Sequence, residues 1–349
     1  MTNRENQNLN LNLIRSFAAW MVLSVHVTQR TGIDFSVGAY GVQLFFILSG
    51  YLAFYSFANK NYSAIEYYKK RAVRILPTYW FCLILVYLQD IVWGIFINKL
   101  SIQEIFTSQC SPRFLRYFFG LQCIIPSDNW DLWNNHNALW TMSSFIAFYI
   151  ITPFLYKVLN KLYTSFICTV IFLVGRPFLI KAIQLWLIDY PAEAHIEWFS
   201  TNNPISELYC FLLGCTLFLA IKEEKQNTYI FIITILLIVT RFEWYPFEFI
   251  FVIFIYIAIA MPPLTHSNIV SKFISIISNG SFALYLIHPI VLIIASDIWQ
   301  KCGIHNKWIY TLYLYFFCIS VSYCIYYLGI IKIENYIQQK VYNKHQTYS

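Results

Sequence analysis

Ten runs of apolar residues follow one another along the 349-residue chain, at roughly 11–29, 38–58, 75–97, 140–159, 163–182, 204–221, 228–241, 245–261, 281–297 and 308–330. A helix needs about 20 apolar residues to cross a hydrocarbon core. In lipid every backbone amide must also be bonded within the protein. The runs therefore predict an all-α, polytopic integral membrane fold of about ten transmembrane helices, one transmembrane unit over residues 1–349 with no appended soluble domain. The seventh and eighth runs are the short ones, separated by "RFEWYP". Only 12% of the residues are charged, about half the share usual in soluble domains, so a soluble core is excluded.

The net charge of +7 does not point to nucleic acid, because the Lys and Arg are scattered over short loops and no basic domain is present to dock on a duplex. Topology accounts for them. With the N-terminus in the cytoplasm, 14 of the 24 Lys and Arg fall on the inner side, five of them in 59–74, eight fall outside, and Arg15 and Arg176 lie within the membrane. The positive-inside bias thus predicts a multi-pass membrane protein with both termini cytoplasmic. The first run reads as a retained span, since no small-residue cleavage site follows Val27. The nine Cys lack CxxC spacing and His pairing, so they read as small buried hydrophobes rather than metal ligands. No metal site is expected.

Two residues interrupt the first run, "LNLIRSFAAWMVLSVHV". Arg15 and His26 are 11 residues apart, which on a helix puts them within about 20° of one another and about 16 Å apart along the axis. Both are costly in lipid and belong toward the bundle interior, although Arg15 alone would also suit snorkelling to headgroups. In "KKRAVRILPTYW" (69–80), Arg71 and Arg74 stand one turn apart ahead of Pro77. Guanidinium groups grip phosphate bidentately, so this pair suits a phosphorylated cytosolic ligand such as a coenzyme A thioester; plain positive-inside anchoring is the simpler alternative. Gly41, Ser49 and Gly50 in "GVQLFFILSGYL" suit close helix approach. The segment "YFFGLQCII" (117–125) is too brief to span and is expected to pack over the bundle. "PSDNWDLWNNHNALW" (126–140) combines Trp, Asn and Asp, which suits either sugars or an interfacial aromatic belt. GxSxG, Walker A, GxGxxG and HxxxxD patterns are absent.

Taken in order, Arg15-x10-His26, "GVQLFFILSGYL", Arg71-x2-Arg74-x2-Pro77 with Tyr79, "LWTMSSFIAFYIITP" (139–153), "FLLG" (211–214) and "SNGSFALYLIHPI" (278–290) resemble membrane-bound acyltransferase family 3, whose members O-acylate bacterial surface polysaccharides and related glycans. The blocks cover nearly the whole chain. Two positions depart from the family's pattern: Gln43 and Phe145 stand where many members have an acidic residue. No carboxylate relay can be drawn from either. Asp90, Glu207 and Asp297 are the remaining acids near outer helix ends that could orient His26 or balance Arg176.

The resemblance implies an O-acyltransferase of the bacterial inner membrane, with acetyl-CoA the default acyl-CoA donor and no permanently bound cofactor. The acceptor would be a sugar hydroxyl of a surface polysaccharide or lipid-linked glycan. It also implies that His26 is the essential histidine, and an imidazole has the basicity the task requires. Arg71 and Arg74 would dock the donor's phosphates. Arg15, His288 and Tyr285 are supporting candidates, while Ser143 and Ser144 read as interhelical packing, since no base adjoins them. A transporter or flippase of lipid-linked saccharide is the rival reading, because ten spans with intramembrane charge and Pro-broken helices suit that class too.

Overall fold

The computed structural model describes residues 9–60, 62–96, 99–109, 112–126, 137–189, 193–241, 243, 245–262, 269–303 and 305–343. Helix α1 (Leu9–Thr31) is followed by a 3-10 turn (Ser36–Tyr40), α2 (Gly41–Lys60) and α3 (Ala64–Phe96). Two short helices, α4 (Ile102–Gln109) and α5 (Pro112–Phe118), precede a second 3-10 turn (Asn137–Trp140). Then come α6 (Thr141–Val158), α7 (Leu162–Trp186), α8 (Glu193–Thr201), α9 (Leu208–Lys222), α10 (Gln226–Val239) and α11 (Pro246–Ala260). Helices α12 (Ile269–Cys302) and α13 (Lys307–Ile325), a π turn (Tyr326–Ile330) and α14 (Ile331–Asn343) complete the chain. The protein is an all-α polytopic membrane protein, with no strand among the described residues.

Among the described residues seven helices are long and apolar enough to cross a membrane; α9, α10 and α11 are apolar but have 15, 14 and 15 residues. Each expected span contains a helix, but two helices begin about a dozen residues earlier than hydropathy indicates. Helix α3 starts at a capping box: Ser63 N and Oγ donate to Glu66 Oε2 at 2.9 and 3.0 Å, and Glu66 N donates back to Ser63 Oγ at 3.2 Å. The basic stretch around Arg71 and Arg74 therefore continues into the span as one helix. In α12, "SKFISIISNGS" is too polar for a hydropathy window, yet α13 holds it in the helix. Tyr323 and Tyr327 donate to the carbonyls of Ile277 (2.6 Å) and Ile276 (2.7 Å).

Helix α12 is the central element, with 72% of its most apolar window buried, whereas α7 is peripheral at 11%. The apolar side chains that α7 leaves outward, such as Phe178 at 74% exposure, are the surface lipid would cover. The tightest crossing is between α2 and α9. A Cβ on Gly214 would land on the carbonyl oxygen of Ile47, and one on Gly50 on that of Phe211. With little hydrophobic drive between helices in lipid, such small residues let dispersion and backbone contact hold the pair. Gly41 works likewise against α1, since its Cβ would meet Ala18 O at 2.6 Å.

The segment 117–125 packs over the bundle. Trp80 donates to Phe118 O at 3.0 Å and stacks on its ring, Tyr79 donates to Tyr117 O, and Cys123 N donates to Ser143 Oγ at 3.1 Å. Ser143 is thus occupied structurally. The eight described cysteines are all free thiols. The Trp- and Asn-rich stretch read as either sugar-binding or an aromatic belt lies mostly at 127–136, outside the described residues.

Candidate active site

Helix α1 is pinned at both ends. Near its start Asn10 Nδ2 donates to Ala258 O of α11 at 3.0 Å, and near its end Arg30 Nη1 donates to Ser296 Oγ of α12 at 3.0 Å. It ends on Gly32, whose φ of +68° is the left-handed geometry that favours glycine at a helix C-terminus. These anchors hold half-buried His26 against α12, where the fully buried His288 lies with its ring centroid 5.0 Å away at an interplanar angle of 39°.

Each imidazole has one nitrogen committed to a local partner. His26 Nδ1 bonds Gln29 Oε1 at 3.0 Å, one turn along the same helix. His288 Nδ1 lies 3.2 Å from Leu284 O. Both partners are oxygens that only accept, so each Nδ1 carries the hydrogen and each Nε2 is left as the basic nitrogen. His288 Nε2 is buried with no hydrogen-bond partner. A Pro follows His288 and supplies no N–H to the preceding turn, which loosens the backbone bonding where the imidazole sits.

Tyr285 is one turn before His288, with ring centroids 6.2 Å apart. Its hydroxyl is engaged by Thr141 Oγ1 (2.8 Å) and donates to Ala138 O (3.3 Å). It therefore ties α12 to the start of α6 and positions its neighbour. The side chain that bonds His26 is Gln29, not one of the acids Asp90, Glu207 and Asp297; the sequence offered it as an i, i+3 neighbour on the same helix face. Glu207 instead accepts from Arg176 Nη2 at 3.1 Å, as one of the weighed alternatives had it.

Arg15 lies toward the opposite end of α1 from His26. Its electrostatic neighbours are Arg74, Tyr149 and Arg71, and its Nη1 approaches Asn12 Oδ1 at 3.4 Å. Arg71 turns inward. Its Nη2 donates to Leu52 O (3.3 Å) and Ser56 Oγ (3.2 Å), and its guanidinium lies 5.1 and 5.0 Å from the ring centroids of Tyr67 and Tyr149. Arg74 is exposed and within electrostatic range of Arg15. Three guanidinium groups from α1 and α3 thus gather at one end of the bundle, while the histidine pair occupies another level. Such a cationic cluster has the chemistry to hold a polyphosphate. Gln43 Oε1 is buried without a hydrogen-bond partner. Phe145 packs with Phe46, Phe211 and Tyr149, at centroid distances of 5.0, 5.9 and 6.1 Å. Phe145 is thus part of an aromatic cluster between α2, α6 and α9. Among the described residues no group of three or more His, Cys, Asp and Glu side chains is placed to hold a metal ion.

The class these features define is a polytopic α-helical membrane protein with an imidazole pair between α1 and α12 and an arginine cluster at one end of the bundle. The chain belongs to the acyltransferase 3 family, whose profile, described as "Acyltransferase domain", matches residues 8–327. Among curated proteins it is similar to the "Exopolysaccharide production protein ExoZ" of Rhizobium meliloti (strain 1021), 36% identical over 55 residues. That stretch is 16% of this chain and 17% of the relative, so the match spans about a sixth of the relative's length. No solved structure matches significantly.

Proposed function

We propose that this membrane acyltransferase moves an acyl group, acetyl by default, from a cytosolic acyl-CoA to a sugar hydroxyl of a bacterial surface polysaccharide or lipid-linked glycan. Family membership supports acyl transfer, and the relative's role in exopolysaccharide production supports a glycan acceptor. The observation that carries the mechanism is the pairing of half-buried His26 with buried His288, both Nε2 atoms left basic.

The sugar hydroxyl approaches His26 Nε2, which takes its proton as the oxygen attacks the thioester carbonyl. Collapse of the tetrahedral species breaks the C–S bond, and the thiolate leaves with a proton returned from the imidazolium. Gln29 holds the ring in the tautomer that makes Nε2 the base. The His288 ring, 5.0 Å away, stabilises the imidazolium through its dipole in surroundings of low dielectric. Arg71, Arg74 and Arg15 bind the coenzyme's phosphates at the other end of the path, with both termini on that cytoplasmic face of the inner membrane. Tyr285 holds His288 in place.

The test is mass spectrometry of the host's surface glycan with the native gene and with His26→Ala, at matched membrane abundance. The expected result is loss of O-acylation in the variant. Unchanged acylation would overturn the assignment of His26.

A further inference from the structure

A cavity of about 570 Å³ opens between the first turns of α7 and α10, and neither the histidines nor the clustered arginines line it. Its wall is tiered. Lys161, Glu223, Lys225 and Thr228 form the rim at the helix starts, and Phe166 and Ile232 lie one turn deeper, about 6 Å further along the helix axes. Glu223 is already committed: its Oε1 accepts Leu162 N–H at 2.7 Å and its Oε2 lies 3.5 Å from Lys225 Nζ. The rim therefore keeps a net positive charge from its two ammonium groups. The Glu223 carboxylate already meets the first amide of α7, whereas the start of α10 carries no side-chain cap, so the positive end of the α10 dipole adds to the rim.

The cavity is at the arginine end of the bundle. Lys222 Nζ lies 5.9 Å from the Tyr156 ring, Tyr156 stacks on Phe57, Phe57 contacts Tyr67, and Tyr67 adjoins Arg71. Below the apolar tier the flanking helices present outward side chains such as Ile171, Val174, Phe231 and Ile238. A basic rim above an apolar floor that continues into a lipid-facing surface has the polarity profile of a phospholipid rather than of a soluble anion. The volume falls in the usual range of about 300–1,000 Å³ for small-ligand sites.

We propose that this cavity is a binding site for an anionic glycerophospholipid, its phosphate between Lys161 and Lys225, its glycerol near Thr228, and its acyl chains running over Phe166 and Ile232 along the α7–α10 groove. The site does not depend on the acyl-transfer reading, since none of its residues belongs to the histidine pair or the arginine cluster.

The experiment is native mass spectrometry of the full chain in detergent, titrated with dioleoylphosphatidylglycerol. The expected result is one tightly held lipid, with an affinity about 30-fold lower in Lys161→Gln/Lys225→Gln and retained in Lys161→Arg/Lys225→Arg. Filling the floor with Ile232→Trp is expected to expel the lipid without touching the charges. Equal retention by the Gln variant, equal retention of phosphate-free dioleoylglycerol, or displacement by inorganic phosphate at matched concentration would each overturn the proposal.

Discussion

The imidazole of His26, on the first helix, lies 5.0 Å from that of His288, on the twelfth, and each ring keeps its Nδ1 on a local oxygen. That arrangement gives two bases side by side between α1 and α12, with the neighbouring tyrosine occupied in holding α6 rather than in chemistry.

His26→Ala is expected to lower glycan O-acylation about 10²–10⁴-fold, the range for removal of a general base. His288→Ala should lower it as well, and the double variant should lose little more than the worse single one, because coupled groups are not additive. The readout is acyl content per unit of membrane-inserted protein. Fully additive losses would show that the two rings act independently.

Gln29→Leu removes the acceptor that fixes the His26 tautomer. Acylation should fall while thermal stability of the purified protein holds, since the bond lies at a partly exposed helix surface. Gln29→Glu should restore much of the rate and move its pH profile, because a carboxylate stabilises the imidazolium. A flat profile in that variant would remove Gln29 from the positioning role.

The two arginines of α3 should separate on substitution. Arg74→Ala, at an exposed position, is expected to weaken acetyl-CoA binding with the melting temperature unchanged. Arg71→Lys should lower both, because lysine cannot reproduce the guanidinium's contacts with Leu52 O, Ser56 Oγ and the two tyrosine rings. Calorimetric titration with acetyl-CoA, beside a thermal melt, distinguishes them.

Gly214→Val places two methyl groups onto the backbone of Ile47, where nothing flexible can yield. Overpacking of this kind costs about 1–3 kcal/mol or more, so membrane abundance should drop sharply. Gly329→Ala, where a Cβ meets nothing within 4 Å, serves as the tolerated control.

Breaking the Arg176–Glu207 pair with Arg176→Met should destabilise by about 3–5 kcal/mol, as expected when a buried carboxylate loses its partner. Replacing both residues, with Arg176→Met and Glu207→Leu, should recover most of the loss. A thermal melt of the two variants decides it.

How much of this was readable from the chain divides along the range of the interactions. The apolar runs, the shared face of Arg15 and His26 and the close-packing glycines were legible because hydropathy and helix period are local and lipid leaves helices no alternative. Local bonding also explains what was legible but overlooked, the Ser63–Glu66 capping box that starts α3 early and the Gln29 contact of His26. The meeting of His26 with His288, the Arg176–Glu207 pair among three equally placed acids, the inward turn of Arg71 and the cavity between α7 and α10 depend on which helices lie side by side. In a membrane that choice is made by small-residue crossings and buried polar bonds between segments far apart in the chain, so only the tertiary structure decided it.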